Sequence, residues 1–310
     1  MEKQFDIIGV GDSDVDIMLK VDRLPKHDEK RCAKLLGRFP GGMVANFCCA
    51  ASNFGARVGI VTTVGDDEYG HMAIRDFHKY GVDTAGVVVK EGEDTYFSIA
   101  QLDATGEKAM TVCLTSATMP ENEDVDLDYV KQARFVQLMG SDERLGLYVG
   151  QFAKKHGIKV SYDIEHAAGL HSDETKKTMM KCAYIVFPNE AGLASYTGCD
   201  SVEQGAQTLL AMGPEIVVVT QGSKGVDVFT KEQHFHQDAL KVDVQDTTGA
   251  GDCFNGVFLS CLSKGYSLKK CAKLATGAAA LAIQKIGSRT GFQSESEVIT
   301  FLSKEGNIVL

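Results

Sequence analysis

The chain has 310 residues, 44% of them hydrophobic and 24% charged, with a formal charge of −10 at pH 7. That balance is ordinary for a globular protein, and the length allows one large α/β domain or two small ones, either with a substantial core. The negative charge argues against a nucleic-acid partner, and no apolar run approaches the ~20 residues that cross a bilayer.

Nine cysteines, an odd number without a Cys-x-x-Cys pair, fit reduced thiols in a cytoplasmic core better than disulfides or zinc. Cys48 and Cys49 are expected to be packing residues. Phe5–Val10 reads as a short apolar strand and Val15–Val21 as another. Gly9-Val10-Gly11-Asp12-Ser13-Asp14 between them misses the dinucleotide fingerprint, because Asp14 replaces its third glycine and no helix follows. Asp12, Asp14 and Asp16 alternate, so a strand would project them to one face. Such a row is either a solvated edge or a place for a polyhydroxylated ligand. Lys30–Phe39 alternates like a strand, and Gly41-Gly42 then opens a small-residue helix that carries Asn46 and stops at Gly55.

Val58–Val64 is a buried strand, and Gly65-Asp66-Asp67 caps a helix running to Tyr80 and closed by Gly81. Strands over Tyr96–Asp103 and Lys108–Leu114 flank the hairpin turn Ala104–Glu107. From Arg134, strands at Phe135–Met139, Lys159–Ile164, Tyr184–Phe187 and Glu215–Thr220 alternate with helices. That rhythm predicts a parallel sheet covered on both faces. Thr220–Gly225 is a Gly-rich turn, and Leu274–Ile283 a small-residue helix. No repeat or linker marks a second domain.

Leu240–Val244 alternates as a half-buried strand would, and Phe254, Val257, Phe258 and Cys261 recur at helical spacing. Gly249-Ala250-Gly251-Asp252 joins the two with almost no side chain over the first helical turn. Free N–H groups and the positive dipole end can therefore approach an anion, with Asp252 at the mouth. In isolation this is equally a carboxylate that complements a helix dipole.

As a block, Asp246–Gly256 closely resembles the C-terminal signature of the PfkB/ribokinase family of carbohydrate kinases. Gly41-Gly42, three residues, Asn46 and the small-residue helix resemble its N-terminal signature, and the likeness runs from about residue 5 to 292. The resemblance implies a ribokinase-like three-layer α/β/α domain over 1–310. A β-sheet lid would be built from segments near 14–40 and 94–115, often packed on a second subunit. It implies ATP, Mg²⁺ and, in many members, K⁺. Asp252 would act as catalytic base, with Gly249, Ala250 and Gly251 forming an anion hole. Asp14, Asp16, Gly41, Gly42 and Asn46 would hold the sugar, Asp16 falling nine residues before Pro25. Asn189, Thr220, Gly222, Ser223, Gly225 and Thr276 would line the nucleotide, Glu190 would serve magnesium, and Asp246 and Thr248 a monovalent cation.

Two departures qualify the match. Family members often read Asn-x-x-Glu where this chain has Asn189 and Gly192, with Glu190 beside the asparagine. Gly140-Ser141 replaces a substrate-binding glutamate and brings no cation, leaving Arg31, Lys34 and Arg38 as candidates for an anionic substrate. The expected activity is phosphorylation of a primary hydroxyl of a sugar, with lid wording that tilts toward ketoses. A nucleoside kinase and a catalytically silent sugar-binding protein are the alternatives.

Overall fold

The computed structural model describes residues 3–104, 108–165, 172–304 and 306. Strand β1 (Phe5–Val10) is apolar along nearly its whole length because it lies mid-sheet with helices on both faces. It pairs in parallel with β4 (Val58–Gly65) on one side and β8 (Ala133–Met139) on the other. Beyond β4 lies β5 (Asp83–Lys90). Beyond β8 follow β9 (Lys159–Ile164), β10 (Ala183–Pro188) and β11 (Ile216–Thr220), all parallel. The antiparallel pair β12 (Val226–Phe229) and β13 (His234–Gln237) closes that edge. The order β13-β12-β11-β10-β9-β8-β1-β4-β5 reverses its direction of growth between β1 and β8. In open α/β sheets such a reversal opens a crevice at the carboxyl ends of the strands, where ligands bind.

On one face pack α1 (Met43–Asn53), α2 (Glu68–Tyr80), α8 (Ala250–Ser263), α9 (Leu268–Ala282) and α10 (Glu295–Lys304). On the other pack α3 (Leu127–Val130), α4 (Glu143–Lys155), α5 (Asp173–Cys182), α6 (Glu190–Thr197) and α7 (Val202–Met212). The three-layer α/β/α arrangement is thus as expected. Local signals explain the sharp ends. Asp67 accepts the Gly70 N–H at 2.7 Å to start α2, and Gly81 ends it at φ 73°.

A second sheet stands over one end of the first. It contains β2 (Asp14–Lys20), β3 (Lys34–Gly41), β6 (Phe97–Leu102) and β7 (Lys108–Cys113), in the order β3-β2-β6-β7. Residues 105–107 of the expected hairpin turn lie outside the described residues.

Some expectations need correction. Leu240–Val244 forms no strand and pairs with no neighbour among the described residues; Val244 is half exposed. Residues 30–33 precede β3 rather than belong to it. The edge strand β5 and the helix α10 carried no reading from sequence. Cys48 and Cys49 are fully buried, as packing residues should be.

Candidate active site

The site begins at the turn after β1. Asp12 is buried, and its carboxylate accepts the N–H groups of Met43 at 3.0 Å and Val44 at 2.9 Å. It therefore caps α1 from a distant part of the chain, where Gly42, at φ 90°, offers no side chain for the purpose. Asp14 and Asp16 follow on β2, both buried, so the solvated-edge reading fails. Gly41 lies opposite Asp14 in the β2–β3 ladder, and a Cβ there would stand 2.2 Å from Asp14 Oδ1 and 2.7 Å from Asp16 Oδ2. The missing side chain is what gives the two carboxylates room. Ser98 Oγ donates to Asp16 Oδ1, whereas Asp14 Oδ1 has no partner among the described residues. Burial and mutual repulsion push the Asp14 carboxyl well above the ordinary carboxylate range.

The Gly-rich turn lies close by. Asp246 Oδ1 accepts the Thr248 N–H at 3.0 Å and its hydroxyl at 2.6 Å, and Oδ2 accepts the Gly287 N–H at 3.0 Å. Lys108 of β7 donates to Thr248 Oγ1 at 2.7 Å, tying the small sheet to the turn. Gly249 takes φ 75° as the first residue flanking α8, and a Cβ there would meet the Ser288 carbonyl at 2.6 Å. The Ala250 N–H is engaged by the Thr247 carbonyl at 3.2 Å. No side chain caps α8, and the Cβ position of Gly251 faces open space. An anion has a clear approach to that helical turn.

Asp252, in the first turn of α8, is only 8% exposed. Loss of solvent raises its carboxyl well above the usual range, with the neighbouring charges of Asp163, Glu165 and Asp12 adding to the effect. Asn46 opposes the shift by donating Nδ2–H to Asp252 Oδ2 at 2.7 Å. Asn46 is held in turn by Arg289, whose Nε–H donates to Asn46 Oδ1 at 2.7 Å. Arg289 was not among the residues expected at the site. Its segment, residues 287–290, ties the Gly-rich turn to the start of α1. Gly287 donates to Asp246, Ser288 Oγ donates to the Pro40 carbonyl at 2.9 Å, and Arg289 reaches the Gly41 carbonyl.

A second cluster forms at the ends of β10 and β11. Asn189 caps α6 by accepting the Gly192 N–H at 2.6 Å and bridges to Thr220. Glu190 pairs with Lys224 at 2.9 Å on the turn that carries Gly222, Ser223 and Gly225. Gly192 stands where a Cβ would come within 2.1 Å of the Ile164 carbonyl. No side chain, acidic or otherwise, fits there. Near the end of β9, Asp163 accepts Asn255 Nδ2–H of α8 at 2.8 Å. No hydrogen bond among the described residues ties Ser223 or Thr276 to either cluster, although Thr276 is buried in α9. Arg31 is committed to Asp22 and Glu29 and is not free for an anionic substrate. No three His, Cys, Asp or Glu side chains among the described residues converge to cage a metal.

At the β1/β8 switch point a cavity of 420 Å³ opens between Asp12, Tyr96, Met119, Met139, Ser141 and Arg144. A hollow of 380 Å³ at the opposite end of the strands, beside Lys3, Arg134 and Lys159, touches none of these groups.

The description of the pfkB family of carbohydrate kinases matches residues 5–295. The chain belongs to that family. This kinase is 24% identical to a nucleoside kinase of Methanothermobacter thermautotrophicus over 96% of each chain. It is 30% identical to fructokinase-1 of Zea mays, over 86% of this chain and 88% of that one. Its fold superposes with a TM-score of 0.84 on the ribokinase of Arabidopsis thaliana complexed with ribose and ATP. That alignment is 25% identical and covers 97% of this chain and 99% of that one. Family membership makes the chain a sugar or nucleoside kinase with a ribokinase-like fold.

Proposed function

We propose that the protein transfers the γ-phosphoryl group of ATP to a primary hydroxyl of a sugar, with Asp252 as the base. The observation that carries this reading is a buried carboxylate, held by Asn46, in the first turn of a helix left uncapped beside an open Gly251. The acceptor hydroxyl attacks the γ-phosphorus as the bond to the β–γ bridging oxygen breaks. Its proton passes to Asp252, and ADP leaves. The N–H groups of Gly251 and Asp252 face the charge that develops on the equatorial oxygens. Ala250 takes a smaller part than its place in the turn implies, since its N–H is engaged. Asp14, Asp16 and Asn46 orient the acceptor. The unpartnered Asp14 Oδ1 is suited to a sugar hydroxyl.

ATP fits the uncapped helix and the open turns at 189–190 and 222–225. Magnesium, when bound, neutralises phosphate charge. With no preformed acidic cage among the described residues, phosphate and water would supply most of its ligands, and Glu190 is the carboxylate we assign nearby. Thr248 and Asp246 remain the potassium proposal, although both Asp246 oxygens already accept hydrogen bonds. Turnover is then expected to rise on exchanging sodium for potassium; equal rates would reduce Asp246 to a clamp for the turn. The small sheet serves as a lid, and its outer face as the contact between two subunits in the cytoplasm.

A nucleoside acceptor is the second reading. Val112 stands in register with Ser98 and Asp16 and shares their face, and Met119 and Met139 line the cavity, giving a base an apolar bed. ADP release measured across aldoses, ketoses and nucleosides separates the two acceptors. Asp252→Asn decides between enzyme and silent binder. We expect kcat to fall roughly 10²–10⁴-fold with ATP affinity held. Turnover within about threefold of the parent would remove the base from the proposal, since general-base loss costs far more.

A further inference from the structure

We propose that Arg289 is a positioning residue that locks the amide of Asn46, keeping its N–H on Asp252 throughout phosphoryl transfer. The inference rests on Asp252 being the base. An amide can be turned over by 180° about its last bond with almost no change in shape, so something must tell its oxygen from its nitrogen. Asp252 does so only while it is ionised. Once it has taken the acceptor's proton it carries an O–H, which an overturned Asn46 would accept as readily.

Arg289 removes that freedom. A guanidinium has five donors and no acceptor, so Nε–H can meet only the amide oxygen, whichever form Asp252 is in. The guanidinium cannot swing away. Nη1 binds Asp76 Oδ2 of α2 at 2.7 Å, Nη2 binds the Gly41 carbonyl, and the group lies 5.6 Å from the centre of the Phe77 ring. Its backbone carbonyl accepts the Tyr80 hydroxyl at 2.9 Å. The side chain is 4% exposed.

The same group also fixes the Gly41 peptide that gives Asp14 and Asp16 their room, and the charges of Asp12, Asp14 and Asp16 face it across the turn. With Asn46 held as a donor, the proton taken by Asp252 stays on Oδ1, on the side away from the amide. From there it leaves to solvent after the phosphorylated product departs.

The test measures two quantities on Arg289→Met, Arg289→Lys and Asp76→Asn. One is kcat per folded molecule, with KM for ATP. The other is the side-chain N–H pair of Asn46 in the nitrogen–proton spectrum, assigned by its loss in Asn46→Ala. We expect Arg289→Met to lower kcat roughly 10- to 100-fold, the scale of a misplaced catalytic group, with KM for ATP unchanged. The Asn46 pair should broaden or shift in the same variant. Arg289→Lys should recover part of both, and Asp76→Asn should show a smaller change in the same direction. Should Arg289→Met not fold, the other two variants carry the same comparison. An unchanged kcat per folded molecule overturns the inference, as does a fall in kcat with the Asn46 pair undisturbed. An active Asp252→Asn would instead overturn the base assignment, and the Asn46 spectrum would still report whether Arg289 orients the amide.

Discussion

At the scale of single residues, the site is a set of carboxylates kept close by what surrounds them. Gly41 is the plainest case, because a methyl group there would stand 2.2 Å from Asp14 Oδ1. Gly41→Ala is expected to raise KM for the acceptor while leaving KM for ATP near the parent value. Equal changes in both would show that the glycine serves the general fold. Asp252 supplies a pH prediction. Its carboxyl is raised by burial, with Asp163, Glu165 and Asp12 adding to the shift, and Asn46 alone among these contacts favours the charged form. A base must be ionised to work, so kcat should fall on the acid side at a pH above the ordinary aspartate value of about 3.9. Asn46→Ala removes the donor and should move that acid limb to still higher pH. A limb that moves down, or stays, would mean that Asn46 does not stabilise the ionised form.

At the scale of elements, α1 depends on a cap that its own sequence does not contain. Asp12 supplies it from 31 and 32 residues away, at Met43 and Val44. Asp12→Ala should therefore cost about 0.5–2 kcal/mol of stability, the range for lost helix caps, read from chemical denaturation. No measurable loss would mean that solvent caps the helix equally well. This contact also marks the limit of what could be read from the chain. The capped ends of α2, the apolar run of β1, the alternating strands and helices after Arg134 and the Gly-rich opening of α8 were all legible, because each is written in adjacent residues. Asp14, Asp16, Gly41, Asn46 and Asp252 were legible as a family pattern. Their mutual geometry was not, since the bond from Asn46 to Asp252 spans 206 residues and the hold on Asn46 comes from Arg289, 243 residues on. Leu240–Val244 misled for a related reason. Alternation signals a strand only where a neighbour pairs with it, and no strand among the described residues lies beyond β13. Arg289 carried no signal at all, since nothing in Gly-Ser-Arg-Thr-Gly separates a buried arginine from an exposed one.

For the whole molecule, the acidic site has a cost that depends on pH. Asp163, half-buried beside Asn255, is pushed up to about 8 by loss of solvent and by Glu165. Below about pH 4 the group is protonated whether folded or unfolded and contributes nothing. Between about 4 and 8 the unfolded chain releases that proton and the folded one keeps it, so stability falls as pH rises. Asp163→Asn abolishes this titration. Its advantage in Tm over the parent should grow across that interval and level off above it; a constant difference would remove Asp163 as the cause. The proposed subunit contact is tested at the same scale. Leu24 and Leu35 are 42% and 45% exposed beside the small sheet, whereas Val21 is buried within its own chain. Leu35→Asp should convert a dimer to a monomer in light scattering, and a parent protein already monomeric at micromolar concentration would end that proposal.

The strap at residues 287–290 also fixes when the site can exist. Its contacts to Pro40, Gly41 and Asn46 reach back 243 to 248 residues, so a ribosome must deliver all the residues between before they can form. Until then Asp12, Asp14 and Asp16 are already synthesised and lack the cation that later faces them. Contacts of such long range also slow folding, because the loop between them must close before it is rewarded. A newborn chain thus carries its buried carboxylates early and gains the arginine that faces them only when residue 289 emerges.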